Sequence, residues 1–193
     1  MVSLNFLCAL CLSTLAVTGA NAQKDYPIVP VDFTKTSFTE GFWKYRLDIN
    51  RQVTLPANFK KSEETGRISN FAKAGKLMEG KHEGIFFNDS DVFKIVEGAA
   101  YTLALGYDAE LDKYLDNLIG LFAAAQEDDG YLYTARTIDP ENGPKAIGKE
   151  RWENIRYAHE LYNVGHMYEA AVAHYQITGK RTFLDVAIKN ADL

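Results

Sequence analysis

The sequence predicts an all-α protein in which buried inner helices alternate with amphipathic outer ones, the pattern of a closed α/α toroid. Two observations carry this. Residues 91–106 and 156–178 are apolar nearly all round, so each reads as a helix buried on most sides. Residues 109–127 and 182–193 each carry one apolar stripe opposite a charged face, so each reads as a helix with one side in water. The pairs also repeat in letters. YLDNLI at 114–119 corresponds to FLDVAI at 183–188, 69 positions on, while Glu97 and Gly106 correspond to Glu169 and Gly179. An open solenoid fits the repeat less well, because its inner helices need not be so completely apolar.

Residues 1–22, MVSLNFLCALCLSTLAVTGANA, contain no charged side chain, an apolar centre from Leu4 to Val17, and a small-x-small ending at Ala20-Asn21-Ala22. This is the composition of an export signal, here lacking a basic start, with cleavage expected after Ala22. The apolar centre is shorter than the roughly 20 residues of a membrane span. No membrane association is therefore expected after cleavage. Leu10 before Cys11 argues against a lipoprotein signal. Both cysteines, Cys8 and Cys11, lie in this leader, so the exported part of the chain has no disulfide or thiolate metal site. The expected location is periplasmic or extracellular. A net charge of −5 with no basic concentration excludes a nucleic-acid partner. The 12% aromatic content suits sugar stacking, and equally suits a core.

Residues 23–38 read as an extended lead-in, with Tyr26, Ile28, Val31 and Phe33 among prolines. A first helix is expected after Gly41, where Phe42, Tyr45, Ile49 and Val53 recur at helical spacing, and Pro56 is expected to end it or to follow its end. From 57 to 87 the chain is polar and glycine-rich, with a short helix expected around Ile68–Met78. Asn88, Asp89 and Ser90 offer an N-cap to the first inner helix, and Gly106 stops it. In the outer helix, Leu111, Leu115, Leu118, Ile119 and Phe122 form the buried stripe, with Glu110, Asp112, Lys113 and Asp116 outside it. In the last helix, Leu184, Ala187, Ile188 and Ala191 are expected inside, against Asp185, Lys189 and Asn190. Leu193 falls in mid-helix with no stop signal, so residues 39–193 are expected to be the N-terminal portion of a larger toroidal domain.

Three of the four histidines, His159, His166 and His174, lie on the second inner helix. His159 and His166 are seven residues apart, which on a helix is roughly 10 Å at about 1.5 Å per residue. One metal ion would not use both, and HELYN lacks the second histidine of a zincin motif. His166 and His174 read as core histidines. His159 sits at the start of its helix, where the loops 84–91 (GIFFNDSD) and 128–152 are expected to gather. The second loop is long for a connector, which marks it as a functional candidate. Asp89, Asp91, Asp128 and Asp129 could place paired carboxylates there for general acid and base work on a glycosidic bond. Helix capping and ordinary turn chemistry explain Asp89 and the Asp-Asp-Gly turn equally well. Tyr131 and Phe87 could stack on a sugar or seal the loop.

Five blocks, GFWKYRLDINRQVTLP, TGRISNFAKA, FFNDSDVFKIVEGAAY, AQEDDGYLYTARTIDP and HELYNVGHMYEAAVAHYQITGK, resemble the N-terminal part of the β-L-arabinofuranosidases of glycoside hydrolase families 127 and 146. The resemblance runs from about Phe33 to Leu193. It implies a partial (α/α)6 toroid from an exported, retaining, exo-acting enzyme that releases terminal β-L-arabinofuranose from plant glycans. It also implies a zinc-bound cysteine nucleophile and a glutamate acid/base, all downstream of residue 193. No catalytic residue, metal ligand or cofactor is thus expected within this chain, and zinc is expected in the full-length protein. The resemblance carries over His159, in an HE-x-Y motif, as an arabinose contact. Asp89, Asp91 and Tyr131 remain further substrate-binding candidates. Two other readings stay open. One is a different toroidal carbohydrate enzyme, a uronyl hydrolase or lyase; the other is a non-catalytic glycan-binding protein. The oligomeric state is not legible.

Overall fold

The computed structural model describes residues 28–141 and 145–193. The expected export signal, with Cys8 and Cys11, and Tyr26 of the lead-in lie outside the described residues. The chain divides into two units, Met1–Lys35 and Thr36–Leu193. In the first, Asp32 accepts the Thr34 N–H at 2.8 Å and closes a 3-10 turn over Phe33–Lys35. Otherwise its described residues are irregular.

The second unit is all-helical among the described residues, a partial (α/α)6 toroid. Helix α1 (Gly41–Ile49) runs through a π-helical turn (Asn50–Thr54) into α2 (Leu55–Glu64). Pro56 therefore does not end the first helix. It sits in the first turn of α2, just past the π turn, where its missing N–H and its ring are tolerated. Helix α2 also occupies the start of the polar 57–87 stretch, where the one helix expected was around Ile68–Met78. It buries Leu55, Phe59 and Ser62, three or four residues apart, on one face. Helix α3 (Arg67–Ala74) follows after Thr65-Gly66, with Gly66 left-handed at φ 76°.

Helices α4 (Asp89–Leu105) and α5 (Ala109–Ala125) form the next hairpin. A short α6 (Thr134–Ile138), a 3-10 turn at Lys145–Ile147 and α7 (Ile155–Ala158) occupy the long connection. Helices α8 (Glu160–Thr178) and α9 (Thr182–Ala191) complete the described structure. Contacts sort these into two layers. Helices α4 and α8 lie side by side and parallel as the inner row, with α5 and α9 as the outer row. Helix α2 packs on α4 but runs antiparallel to it, with Arg51 before its start near Asp108 and Arg67 after its end paired with Asp91, and α3 packs on α5. The α4–α5 and α8–α9 hairpins are the two that the repeat in the letters shows.

The core lies between the rows. Phe71 (α3), Phe93 (α4), Phe122 (α5) and Phe183 (α9) meet there, with Phe122 central: its ring is 4.6, 5.1 and 5.2 Å from those of Phe71, Phe93 and Phe183. Between α4 and α8, Ala99, Ala100, Ala170 and Ala171 are buried, and their small side chains let the two backbones approach closely. Two outer stripes depart from expectation. Asp112 is buried on α5, bonded by Lys180 and the Tyr107 hydroxyl. On α9 the buried set is Phe183, Val186, Ala187 and Asn190, while Ile188 is exposed. Asn190 can be buried because its amide donates to the Gly130 carbonyl at 2.8 Å and its oxygen accepts from Tyr168 at 2.7 Å.

That carbonyl belongs to a close approach. Gly130, at φ 104°, lies so near α9 that an added Cβ would be 2.2 Å from the Lys189 carbonyl oxygen. Gly130→Ala combines left-handed strain with a backbone clash. It is expected to lower the stability of the intact protein by about 3 kcal/mol. Denaturant midpoints of the two proteins check this.

Candidate functional site

The starts of the two inner helices are tied together by buried polar groups. Asp89 opens α4 and is fully enclosed. It accepts hydrogen bonds from the backbone N–H of Thr134 at 2.8 Å and from the Thr134 hydroxyl. It therefore pins α6 to α4, and no side-chain cap is made at the α4 start. Tyr131 is equally enclosed. Its hydroxyl donates to Glu160, and the Arg151 guanidinium lies 4.2 Å from its ring centre. Burial and the neighbouring carboxylate push the Tyr131 hydroxyl well above the usual phenol range, so it stays a donor. Glu160 also accepts the Trp152 N–H at 3.1 and 3.2 Å and lies 4.0 Å from the Arg136 guanidinium. Arg136 in turn donates to the carbonyls of Ile147, Gly148 and Lys149. The loops 84–91 and 128–152 do gather at one end, and this network holds them.

Burial also sets a pH response. It raises the Asp89 carboxyl from 3.8 to about 6, against the opposing effect of its Thr134 bonds. The folded state thus holds this proton more tightly than the unfolded chain. The stability it contributes is complete below about pH 4 and is lost as pH rises to about 6. Asp89→Asn keeps an acceptor for the Thr134 N–H and offers a donor to its hydroxyl. The variant is expected to flatten the stability profile between pH 4 and 6, as measured by thermal melts.

Residues 156–178 do not form one helix. His159 interrupts them in a left-handed conformation, φ 61° and ψ 23°, between α7 and α8. A non-glycine residue rarely holds this conformation away from a turn or a site. Its Nδ1 lies within hydrogen-bond distance of the Tyr157 carbonyl. A carbonyl only accepts, so Nδ1 carries the proton, and neutral His159 presents Nε2 as an acceptor. The ring stacks on Phe87 at 4.3 Å and 20° and meets Tyr162 edge-on at 5.9 Å. Tyr162 meets His166 edge-on at 4.6 Å, and Lys94 lies over the Tyr162 ring and bonds its hydroxyl. His166 is thus no core histidine. It is half-buried and pairs with Glu169 at 2.9 Å.

These groups form one wall along the inner row, Phe87, Asp91 and Lys94 from the α4 side and His159, Tyr162 and His166 from the α8 side. A depression of about 530 Å³ adjoins it, lined in part by Arg67, Asp91 and Lys94. Arg67 pairs with Asp91 at 2.8 Å, and Asp91 stays partly exposed. A wider groove, about 900 Å³, runs past Gln126–Asp129 and Arg151, and no wall residue lines it. The sequence-predicted residues thus divide. His159 and Asp91 reach the wall. Asp89 and Tyr131 lie behind it, with their polar atoms bonded inside the protein. Lys94 and Tyr162 were missed; their one signal is a position three residues beyond Asp91 and His159, on the same helix faces. Stacked aromatic rings beside a neutral acceptor, an ammonium and a carboxylate suit an uncharged polyhydroxylated ligand.

A family model described as β-L-arabinofuranosidase, GH127 catalytic domain, matches residues 36–193. The non-reducing end β-L-arabinofuranosidase of Bifidobacterium longum subsp. longum is 35% identical over 175 residues, which cover 81% of this chain and 26% of that protein. A solved GH127 β-arabinofuranosidase is 53% identical with a TM-score of 0.82, over 86% of this chain and 27% of that one. A GH127 β-L-arabinofuranosidase from Geobacillus stearothermophilus T6 is 40% identical with a TM-score of 0.75, over 81% of this chain and 25% of that one. The chain belongs to the GH127 β-L-arabinofuranosidase catalytic-domain family. It spans about a quarter of the length of these relatives.

Proposed function

We propose that the protein carrying this chain is an exported glycoside hydrolase that releases terminal β-L-arabinofuranose from plant glycans with retention of configuration. The observation that carries the reading is the placement of His159 on the polar, aromatic wall in a chain of this family. The family assignment narrows the ligand from a polyol to an arabinofuranosyl group. His159 accepts a hydrogen bond from a sugar hydroxyl through Nε2. Phe87 holds the imidazole plane, and the Tyr157 carbonyl holds its tautomer. Asp91, Lys94 and Tyr162 offer polar atoms to the remaining hydroxyls or to the aglycone side. Asp89 and Tyr131 act behind the wall by fixing α6 and Glu160.

Both cysteines of this sequence, Cys8 and Cys11, lie in the expected leader, so the zinc-bound thiolate that the resemblance implies is a group the full-length protein supplies. The residues of the wall contribute recognition and framework. The leader sequence supports export to the periplasm or beyond, and no described helix is long and apolar enough to cross a membrane.

The test is hydrolysis by the intact protein of a chromogenic β-L-arabinofuranoside, beside its α-anomer and a β-D-galactoside. Release from the β-L-arabinofuranoside in clear excess is expected, with the first-formed sugar in the β configuration by proton NMR. Turnover of either other substrate in its place contradicts the reading.

A further inference from the structure

A second group of ligating side chains lies at the other end of α8. Asp112 and Asp116 stand one turn apart on α5, and His174 faces them from α8. Each offers one ligand atom, and the three atoms lie within 4.8 Å of one another. Fifteen residues of helix, roughly 22 Å at about 1.5 Å per residue, separate His174 from His159. This group is therefore no part of the wall.

His174 is the anomaly. It is fully buried, yet neither ring nitrogen has a hydrogen-bond partner. A neutral imidazole has one donor and one acceptor to satisfy, and enclosing both unpaired is costly. Lys180 sits against the carboxylates, with Nζ 2.7 Å from Asp112 and 2.8 Å from Asp116. Its ammonium meets the two acids and leaves the imidazole unpaired. The Tyr107 hydroxyl donates to the other oxygen of Asp112 at 2.9 Å, the kind of outer partner that orients a ligating carboxylate. Lys180 follows the left-handed Gly179 on the α8–α9 connection, and a third of its side chain is exposed. It has a path to swing into water.

We infer that Asp112, Asp116 and His174 form a binding site for a divalent transition cation of the zinc class, with Lys180 as the displaceable cation that holds the site in the metal's absence. One imidazole and two carboxylates suit zinc, cobalt or nickel better than calcium or magnesium, which favour all-oxygen sets. A fourth position is left for water. The bound ion ties the outer helix of one hairpin to the inner helix of the next, so its role is structural.

Zn(II) titration calorimetry on the chelator-stripped intact protein tests this. Any zinc site elsewhere gives the same background in every variant. Lys180→Met, which removes the competing ammonium, is expected to bind zinc at this site about tenfold more tightly than the parent protein. Asp116→Asn, a surface change that spares the fold, and His174→Gln are each expected to weaken it at least about tenfold and to remove one equivalent at limiting zinc. Identical stoichiometry and affinity in all four proteins overturns the inference. His174 would then be satisfied by an enclosed water.

Discussion

Glu160→Ala is expected to cost the intact protein about 3–5 kcal/mol of stability, the range for removing one partner of a buried charge pair. The carboxylate is 1% exposed and is the point where three segments meet: the Tyr131 hydroxyl, the Trp152 N–H and the Arg136 guanidinium. Without it, Arg136 is a buried cation whose remaining bonds go only to carbonyls, and Tyr131 loses its acceptor. The loop 128–152 is then released from the start of α8, and His159, the adjacent residue, loses its fixed backbone. Glu160→Gln retains one acceptor for Tyr131 and is expected to fall between the two. Thermal melts and arabinoside turnover should decline together for this position, since both depend on the same loop. A Glu160→Ala protein with unchanged melting temperature contradicts the framework role.

His159→Asn is expected to do the reverse: a loss of about 10–100-fold in kcat/KM with little change in stability. Asparagine tolerates the left-handed conformation that His159 adopts, so the turn between α7 and α8 survives. What disappears is the Nε2 acceptor and the ring stacked on Phe87. If the hydroxyl contact is equal in ground and transition states, the loss falls in KM; if it strengthens as the bond breaks, it falls in kcat. His159→Ala adds about 1 kcal/mol of backbone strain and should therefore melt lower than His159→Asn. Equal turnover in His159→Asn and the parent protein removes His159 from the sugar contacts.

The long periodic helices were legible in the sequence because burial writes itself as spacing. Helices α4, α5 and α8 appear where the apolar patterns put them. What the pattern hid is polar burial. Asn190 and Asp112 read as solvent-facing, because nothing local reveals that Gly130, Tyr168, Lys180 and Tyr107 will bond them. Helix α2 was hidden by Pro56, which reads as a stop unless a π turn precedes it. The break at His159 left no signal either. The usual left-handed residues are glycine and asparagine, and the local letters, RYAHELYN, are those of a continuous helix. The same break gives His159 its place on the wall. Asp89 and Tyr131 were singled out as polar or aromatic groups of the loops 84–91 and 128–152, and both are enclosed where those loops meet. Composition does not tell a group that faces a ligand from one that braces the wall from behind.

The most direct test of the account is a crystal structure of the intact protein with L-arabinose bound. A furanose ring is expected against the wall, with one hydroxyl within hydrogen-bond distance of His159 Nε2 and Asp89 still enclosed behind Thr134. A sugar seated in the groove beside Arg151, with His159 untouched, would contradict it.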